Sequence, residues 1–360
     1  MSTGLSEDAR LVYDAAERIL REECSKELVD AAEAGTWPAE LWATLEASGL
    51  PRACAPAELG GAELPLAEGL ALLRLVGVHA VPVPLAETVV ATFLLGAAGA
   101  PALADGPLGV ALAADGLEVR REAGARVLSG RIDRVAFAPV VDRVLLVLPE
   151  AGAATLALVD TAPLLAAAGA NLAGEPLADL RFADVRISDD ACLVADRDAE
   201  EIAGLMALTR SLMISGAMAS ILDLGTSYAL ERKQFGRPIA AFQAVQQQLA
   251  VLAGEAAAAI RAADGALEAL GTPAALTEIA VAKARAGEAA GRGAEIAHQV
   301  HGAMGFTHEH RLHHRTRRLW SWRDDYGHEA HWQAWLGRRI AGVGADDLWA
   351  FVSGSLDPAA

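Results

Sequence analysis

The 360-residue chain contains little cysteine and few positive charges, and both shortages exclude classes of protein. Its three cysteines, Cys24, Cys54 and Cys192, lie far apart and form neither a Cys-x-x-Cys pair nor the spacing of a disulfide framework. We therefore interpret them as small buried hydrophobic residues in a reducing compartment. Thirty lysine and arginine residues stand against 47 acidic ones, and the net charge of −17 disfavours a general nucleic-acid surface.

The sequence also lacks the patterns that direct a chain into or across a membrane. Its first residues, MSTGLSEDARLVYDAAERIL, contain no basic stretch followed by an apolar one, and so no secretory signal. No uncharged apolar run of about 18 residues is present, because Gly96, Gly99 and Pro101 interrupt the closest approach. A chain that is 53% hydrophobic and 21% charged is not disordered. We expect a soluble, cytoplasmic protein.

Three regions of different character follow one another along the chain. Residues 1–107 show helical periodicity, with Ser6 as the predicted N-cap of the first helix. Residues 108–195 contain short apolar or alternating runs separated by Asp-Gly, Gly and Pro, which predict a β domain of about six to eight strands. Residues 196–360 are rich in alanine and leucine and predict long helices in an antiparallel bundle. The predicted fold class is α+β, mostly α.

Residues 231–250, ERKQFGRPIAAFQAVQQQLA, contain a charged segment that stands out from the alanine-rich background. Gly236 and Pro238 end one helix and begin another, which crowds Arg232, Gln234 and Phe235 onto a corner. A guanidinium group at such a corner can bind a phosphate oxygen through charge-assisted hydrogen bonds. The glutamine and the free N–H groups at the start of the next helix add donors for an anion. The segment predicts a site for a dinucleotide diphosphate.

Phe242 and Gln246 extend this predicted site onto the following helix. They lie one helical turn apart, so an aromatic wall and a polar contact share a face. A structural alternative stays open, in which Arg232 caps a helix end with Glu231 and the glutamines are solvated.

Three segments of the chain together resemble the acyl-CoA dehydrogenase family: YALERKQFGRPIAAFQAVQQQLA, HQVHGAMGFTHEHRLHHRTRRLW and ELWATLEASGLPRACAPAELGG. The resemblance covers essentially the whole chain and implies an N-terminal helical domain, a middle β domain and a C-terminal four-helix bundle. It also implies FAD as the cofactor and α,β-dehydrogenation of an acyl-CoA thioester as the reaction. An electron-transfer flavoprotein is a candidate electron acceptor.

The resemblance assigns two groups of residues to FAD that is bound mainly by a neighbouring subunit. In family members the equivalents of Arg232, Gln234 and Phe235 contact this cofactor, and we assign Phe242 and Gln246 to the same site. The segment after the third long helix contacts the adenosine half, and its implied residues are Gln299, Gly302, Ala303 and Gly305. The glycines alone are a weak signal, since glycines between helices usually serve the turn.

The catalytic glutamate of the family is missing from both of its usual positions. These positions are occupied by Thr209 on the first long C-terminal helix and by Tyr326 after the glycine motif. Asp325 is the adjacent carboxylate and becomes the candidate base. One step along a helix rotates a side chain by about 100°, so the alternative of a solvated acid, or of one paired with Arg323, stays open.

The stretches that pack the flavin ring in family members are also replaced, by VALAADGLEVRREAG and IDRVAFAPVVD. The chain therefore keeps the elements that reach across a subunit boundary and loses those that hold FAD in its own pocket. This pattern resembles the non-catalytic type of subunit in heteromeric α2β2 acyl-CoA dehydrogenases of actinobacterial steroid side-chain degradation. We expect a homo- or hetero-tetramer with a second, similar subunit. Two alternatives remain, a purely structural subunit and a homo-oligomeric enzyme that uses Asp325.

Eight of the nine histidines lie between His298 and His331, which raises the question of a metal site. Their spacing matches no metal motif, and we predict none. His310 and His314 are four residues apart, a spacing at which two residues can share a helix face. The arginines interspersed with them predict an exposed basic strip that meets a polyanion or a partner subunit. A solvated surface is the alternative.

Overall fold

The structure, a computed structural model, describes residues 5–103, 105–113 and 116–353. The terminal residues of the predicted outer domains, 1–4 and 354–360, lie outside this range. The α-helices are α1 (Glu7–Glu23), α2 (Lys26–Glu33), α3 (Ala39–Ala47), α4 (Leu66–Ala71), α5 (Arg74–His79), α6 (Leu85–Ala97), α7 (Ala199–Glu231), α8 (Gln243–Glu268), α9 (Ala275–His301), α10 (Leu312–Asp324), α11 (Glu329–Val343) and α12 (Leu348–Val352).

The strands are β1 (Leu108–Leu112), β2 (Leu117–Glu122), β3 (Ala125–Ala136), β4 (Arg143–Leu148), β5 (Thr155–Asp160), β6 (Leu165–Ala170), β7 (Pro176–Ser188), β8 (Cys192–Val194), β9 (Lys233–Gln234) and β10 (Arg237–Pro238). Short 3-10 helices occupy Leu50–Arg52, Ala57–Leu59, Ala138–Val140, Asp189–Ala191, Ile239–Ala241 and Gly302–Phe306. The order of helices, strands and helices confirms the predicted fold class, and the first helix begins as expected, with the Ser6 hydroxyl accepting a hydrogen bond from the N–H of Ala9.

The chain divides into two compact units. One contains Met1–Leu72 and Val81–Met206, and the other contains Leu73–Ala80 and Ala207–Ala360. The N-terminal helices and the β region therefore belong to one unit, while α5 joins the C-terminal helices. The separate N-terminal, middle and C-terminal domains of the sequence analysis remain a prediction.

The β region of the first unit consists of two four-stranded sheets. One sheet has the order β1-β4-β5-β8, in which only β1 and β4 are parallel, and the other is antiparallel with the order β2-β3-β7-β6. Both sheets bury apolar side chains in one core, including Leu128, Val144, Leu146, Leu180 and Phe182. Alternating and continuous apolar runs thus form two layers that share a core.

By length and composition alone, helix α7 is long enough and apolar enough to cross a membrane. Its 33 residues include the charged side chains of Arg210 and Asp223. Of its most apolar 18-residue window, 83% is buried inside the protein. A helix that is apolar all round is typical of the interior of a large bundle, and the burial assigns α7 to that class.

Small residues let the helices of the second unit approach one another closely. A Cβ atom added to Gly216 of α7 would lie 1.9 Å from the carbonyl oxygen of Arg74 in α5. The equivalent atom on Gly77 would lie 1.8 Å from the carbonyl oxygen of Met213. Further along α7, the thioether of Met218 occupies the space beside Gly293 of α9. Backbone therefore packs directly on backbone at the α5–α7 crossing, where any side chain would clash.

We predict that Gly216→Ala lowers the free energy of unfolding by about 3 kcal/mol or more, because the added methyl group must displace a helix backbone. The matched control is Gly337→Ala on α11, where the added atom would contact nothing within 4 Å. This variant should be unchanged or more stable by up to about 1 kcal/mol, since alanine has the higher helix propensity. Chemical denaturation of both variants measures the difference, and equal stabilities would contradict the close crossing.

Candidate functional site

The charged segment after α7 folds as a two-residue hairpin rather than as a simple corner between helices. Strands β9 and β10 pair in antiparallel register, with Gln234 opposite Arg237. The two residues between them, Phe235 and Gly236, both have positive φ, at 52° and 78°. This backbone is that of a type I′ turn, for which glycine is suited and a bulky residue is not.

Phe235 occupies the tip of this hairpin with 92% of its surface exposed. Its ring meets the ring of Phe242 edge-on, with centroids 6.1 Å apart, and the guanidinium of Arg237 lies 4.3 Å from the Phe242 ring. A non-glycine residue in the left-handed region raises the conformational free energy by about 1–2 kcal/mol. At this strained position the aromatic side chain is exposed to solvent and not buried. Most of this ring therefore remains open to solvent in its own unit.

The same hairpin carries three exposed cations, Arg232, Lys233 and Arg237, on a strongly acidic protein. Within the described part of the chain, the Arg232 side chain has no hydrogen-bond or ion-pair partner, so the predicted alternative of capping with Glu231 is not found. Only its backbone is engaged: its N–H donates to Tyr228 and its carbonyl accepts from Ile239. The guanidinium is left available to an external anion.

Phe242 and Gln246 lie where the sequence predicts them, at the N-cap and in the first turn of α8. The Gln246 amide donates a hydrogen bond of 2.9 Å to the carbonyl oxygen of Ala240, which ties the helix start to the preceding 3-10 turn. Gln234 extends from the hairpin and is exposed. Of the two glutamines, Gln234 is therefore the one whose amide is not committed to the backbone.

The glycine segment begins where α9 ends, at His301. Gly302 has φ 58° and ψ −140°, a conformation essentially restricted to glycine. Gln299, Gly302 and Ala303 are exposed, whereas Gly305 is buried, and a Cβ atom at Gly305 would lie 3.0 Å from Cβ of His301. Gly302 thus permits the turn and Gly305 the close packing beneath it, and the assignment of these residues to a cofactor remains a prediction.

Tyr228, which the sequence analysis did not single out, joins the hairpin to the glycine segment. Its ring stacks on the ring of His301 with centroids 4.6 Å apart and an interplanar angle of 26°. Tyr228 lies one turn before Arg232, and His301 directly precedes Gly302. Its position in the motif-bearing segment was the available signal, but only the contact between α7 and α9 shows its role.

The candidate base Asp325 is engaged in an ion pair. Its Oδ2 atom lies 2.9 Å from Nε of Arg210, whose side chain is only 2% exposed. The sequence alternative of a pair with Arg323 is wrong, because Arg323 instead binds Glu329 through two hydrogen bonds. The adjacent Tyr326 places its ring 5.0 Å from the Arg210 guanidinium. The Arg210 guanidinium therefore occupies one oxygen of this carboxylate.

The other position that carries the family's glutamate lies inside the helix bundle. Thr209 is fully buried on α7, so a hydroxyl group stands there in place of a carboxylate. Tyr326, at the second position, has φ 53° in the turn between α10 and α11. The role of Asp325 as a base remains a prediction.

Lys283 holds this turn in place and was missed by the sequence analysis. It is fully buried on α9, and its Nζ donates hydrogen bonds of 2.7 Å to the carbonyl oxygens of Arg323 and Gly327. The indole N–H of Trp332 donates to the carbonyl oxygen of Tyr326 between them. Burial lowers the pKa of Lys283 to about 8, although the nearby Asp325 opposes the shift. A single lysine on the alanine-rich face of a helix was the only sequence signal.

The histidine-rich segment does not form the exposed basic strip that the sequence predicts. Arg315 and Arg318 are buried, the first with its Nη2 donating to the carbonyl oxygen of Val78. His310 precedes α10 while His314 lies within it, so the two do not share a helix face. Four of the histidines are buried: His298, His301, His313 and His314. The alternative of a solvated surface is wrong for these four, because they pack into the interior.

Comparisons with known proteins identify the same fold. Models of the N-terminal and C-terminal acyl-CoA dehydrogenase domains match residues 6–104 and 197–323. Acyl-CoA dehydrogenase IpdE2 of Mycobacterium tuberculosis is 30% identical over 281 residues, which are 76% of this chain and 78% of that protein.

Two solved structures of paired proteins have closely similar chains. A chain of the ChsE4–ChsE5 complex from Mycobacterium tuberculosis superposes with a TM-score of 0.86 at 23% identity and covers 96% of this chain and 100% of that one. A chain of a variant of the Tcur3481–Tcur3483 steroid ACAD superposes with a TM-score of 0.81 at 23% identity, covering 93% and 98%. At these identities the likeness is one of fold.

The buried lysine predicts a pH dependence of stability. Its folded-state pKa of about 8 is below the ordinary value of 10.5, so the unfolded chain binds more protons between these two pH values. The free energy of unfolding should therefore rise with pH through this window, by up to about 3 kcal/mol relative to Lys283→Met. Denaturation of both proteins at several pH values measures this, and parallel pH profiles would show that Lys283 is not perturbed.

Proposed function

Since the chain belongs to the acyl-CoA dehydrogenase family, a family of oxidoreductases, we propose that it is a flavoprotein subunit that completes an FAD site housed mainly by a neighbouring subunit. The reaction is the α,β-dehydrogenation of an acyl-CoA thioester. The observation that carries this proposal is the hairpin segment of residues 232–238, which exposes Phe235 at its strained tip and carries three exposed cations.

The residues of the hairpin fit the diphosphate of a dinucleotide. Arg232 offers paired donors with no partner of its own among the described residues, and a guanidinium binds phosphate oxygens in this way. Gln234 adds an uncommitted amide, and Phe235 adds an apolar plane. The exposed Gln299 lies in the last turn of α9, just before the glycine segment, which is joined to the hairpin through Tyr228 and His301. Bound FAD would supply the hydride acceptor for the β-hydrogen of the acyl group.

The surface chemistry supports a subunit contact in place of a closed pocket within one chain. An exposed phenylalanine at positive φ is unfavourable in an isolated chain, and its exposure ends when another chain covers it. Two of the structurally similar chains come from pairs of different proteins, and one pair is described as a steroid ACAD. We therefore place this chain in a hetero-tetramer with a second, similar subunit that acts on a bulky, steroid-derived acyl group.

A non-enzymatic role is the second candidate, and the state of Asp325 favours it. The only carboxylate next to the family's base position is paired with the buried Arg210, and Lys283 fixes the backbone of the same turn. Thr209 supplies no base from the other position. In this role the partner contributes the glutamate and the acyl-CoA pocket, while this chain contributes the far side of the FAD site.

We predict that Arg232→Gln weakens FAD binding about 10- to 100-fold, the effect of losing a charge-assisted contact to phosphate. The control is Arg292→Gln on α9, an exposed arginine that is paired with Glu295. The flavin content of the assembled protein and an FAD titration measure the effect. An Arg232 variant that binds FAD as tightly as the control would exclude the hairpin from the site.

The purified chain expressed without a partner tests the subunit assignment. We expect flavin well below one per chain in its visible spectrum and no bleaching when acyl-CoA is added, because the base and the flavin-ring contacts are missing. Stoichiometric flavin together with turnover would contradict the heteromeric assignment, and Asp325 would again be the candidate base. In that case Asp325→Asn, which keeps the shape of the side chain, must abolish turnover while retaining flavin.

A further inference from the structure

Two segments assigned above to one nucleotide site are linked through a cluster of three rings. His301 stacks on Tyr228 on one side and lies against His310 on the other, with ring centroids 4.6 Å apart in both pairs. Tyr228 and His310 complete the triangle at 6.2 Å. We call Tyr228, His301 and His310 the ring cluster. Its members come from α7, from the end of α9 and from the segment before α10.

The ring cluster connects directly to the backbone of both binding segments. The carbonyl oxygen of Tyr228 accepts the N–H of Arg232 at 2.9 Å, so the ring and the hairpin share one helical turn. His301 is the last residue of α9 and precedes Gly302, whose conformation starts the glycine segment. A displacement of the His301 ring would therefore move the end of α9 relative to the end of α7.

Because both segments depend on the same three rings, we propose that the ring cluster positions the hairpin and the glycine segment as one nucleotide-binding surface, and that it does so only while its imidazoles are uncharged. The proposal rests on the proposed function for the identity of the ligand. The coupling between the two segments is a property of the chain itself. The three residues are positioning residues, since none of them is assigned a contact with the nucleotide.

The surroundings of the cluster favour neutral rings. His301 is 2% exposed, and its Nδ1 lies 2.7 Å from the carbonyl oxygen of Ala297, which locates the proton of the neutral ring on Nδ1. Burial lowers the pKa of His301, and hydrogen bonding to the backbone at Ala297 and Leu224 opposes part of this shift. A charged imidazole in this position would be poorly solvated.

The groups that face His310 also disfavour its protonated form. Burial is the main cause that lowers its pKa to about 4, and the further contributions come from His301, Arg311, His313 and Arg315. From α9, His298 lies nearby with its own pKa lowered by burial. From α7, the cluster is faced by the phenol ring of Tyr228 and by Gly225, whose added Cβ would lie 3.9 Å from the His301 ring. Each of the groups named here that shifts the pKa of His310 lowers it.

The sign of the pH effect follows from these lowered pKa values. Below the ordinary histidine pKa of 6.5, a chain in which the three rings have separated binds protons that the rings in contact do not bind. The contact between the rings therefore weakens as the pH falls below about 6.5, and it is fully present above that pH. A ring of similar shape that cannot be protonated should keep the stacking and lose the pH dependence.

The test uses the full-length protein and three variants: His301→Ala, His301→Phe and, as a control, His331→Phe. His331 is an exposed histidine on α11, outside the cluster, whose pKa is also lowered by burial. Hydrogen–deuterium exchange by mass spectrometry reports on peptides covering 232–241 and 302–311, at about pH 7.5 and about pH 5, after correction for intrinsic rates. FAD affinity of the protein assembled with its partner subunit is measured at both pH values by titration.

We expect His301→Ala to speed exchange in both peptides about fivefold or more at either pH, and to weaken FAD binding by a similar factor. The unsubstituted protein should show the same faster exchange in both peptides at about pH 5 but not at about pH 7.5. His301→Phe should be protected at both pH values, and His331→Phe should behave as the unsubstituted protein does.

Two results would overturn the positioning role. One is protection of both peptides in His301→Ala; the other is an acid response that persists in His301→Phe. Failure of the proposed function gives a different pattern, in which the two peptides still respond together but neither Arg232→Gln nor His301→Ala changes FAD affinity. If only one of the two peptides responds, the rings do not couple the segments, and the proposal fails.

Discussion

The close approach of the long helices in the second unit is the constraint on which the candidate site depends. Glycines at the α5–α7 crossing let backbone meet backbone, and Gly293 makes room for Met218 between α7 and α9. Because α7 and α9 pack side by side, Tyr228 in the last turns of α7 can stack on His301 at the end of α9. The hairpin and the glycine segment continue from these two ends.

Two unusual backbone conformations lie on the surface that is proposed to bind the nucleotide. Phe235 has positive φ with its ring in solvent, and Gly302 has a conformation that other residues avoid. Such backbone is held by its supports, which here are the β9–β10 pairing and the ring cluster. Rigid supports beneath exposed groups reduce the entropy lost when a ligand or a partner chain is bound.

The region next to the family's catalytic position has the opposite character. Arg210 pairs with Asp325, and Lys283 donates hydrogen bonds to backbone carbonyl oxygens of the adjacent turn. Their charges are therefore satisfied within the chain. A group that acts as a base needs a free lone pair directed at substrate, and the Arg210–Asp325 pair lowers the availability of the one carboxylate in place. The chain thus presents unsatisfied donors on its outside and satisfied charges at the position where catalysis would occur.

The sequence by itself determined the order of helices and strands and the Ser6 cap, because these depend on local propensity and periodicity. The two motif segments were located by their resemblance to the family. The sequence also determined which chemistry is missing, since the identities of Thr209 and Tyr326 can be read without a fold. It did not predict the type I′ hairpin, because a phenylalanine at its tip contradicts the local preference of that turn.

Only the tertiary structure decided which charged groups are available. Arg315 and Arg318, predicted to be exposed, are buried, while Asp325 pairs with Arg210, 115 residues away, and Arg323 with Glu329. Contacts of this kind depend on which helix faces meet, and an alanine-rich sequence offers many faces of nearly equal hydrophobicity. Packing selects one arrangement, and with it the partners of every buried charge.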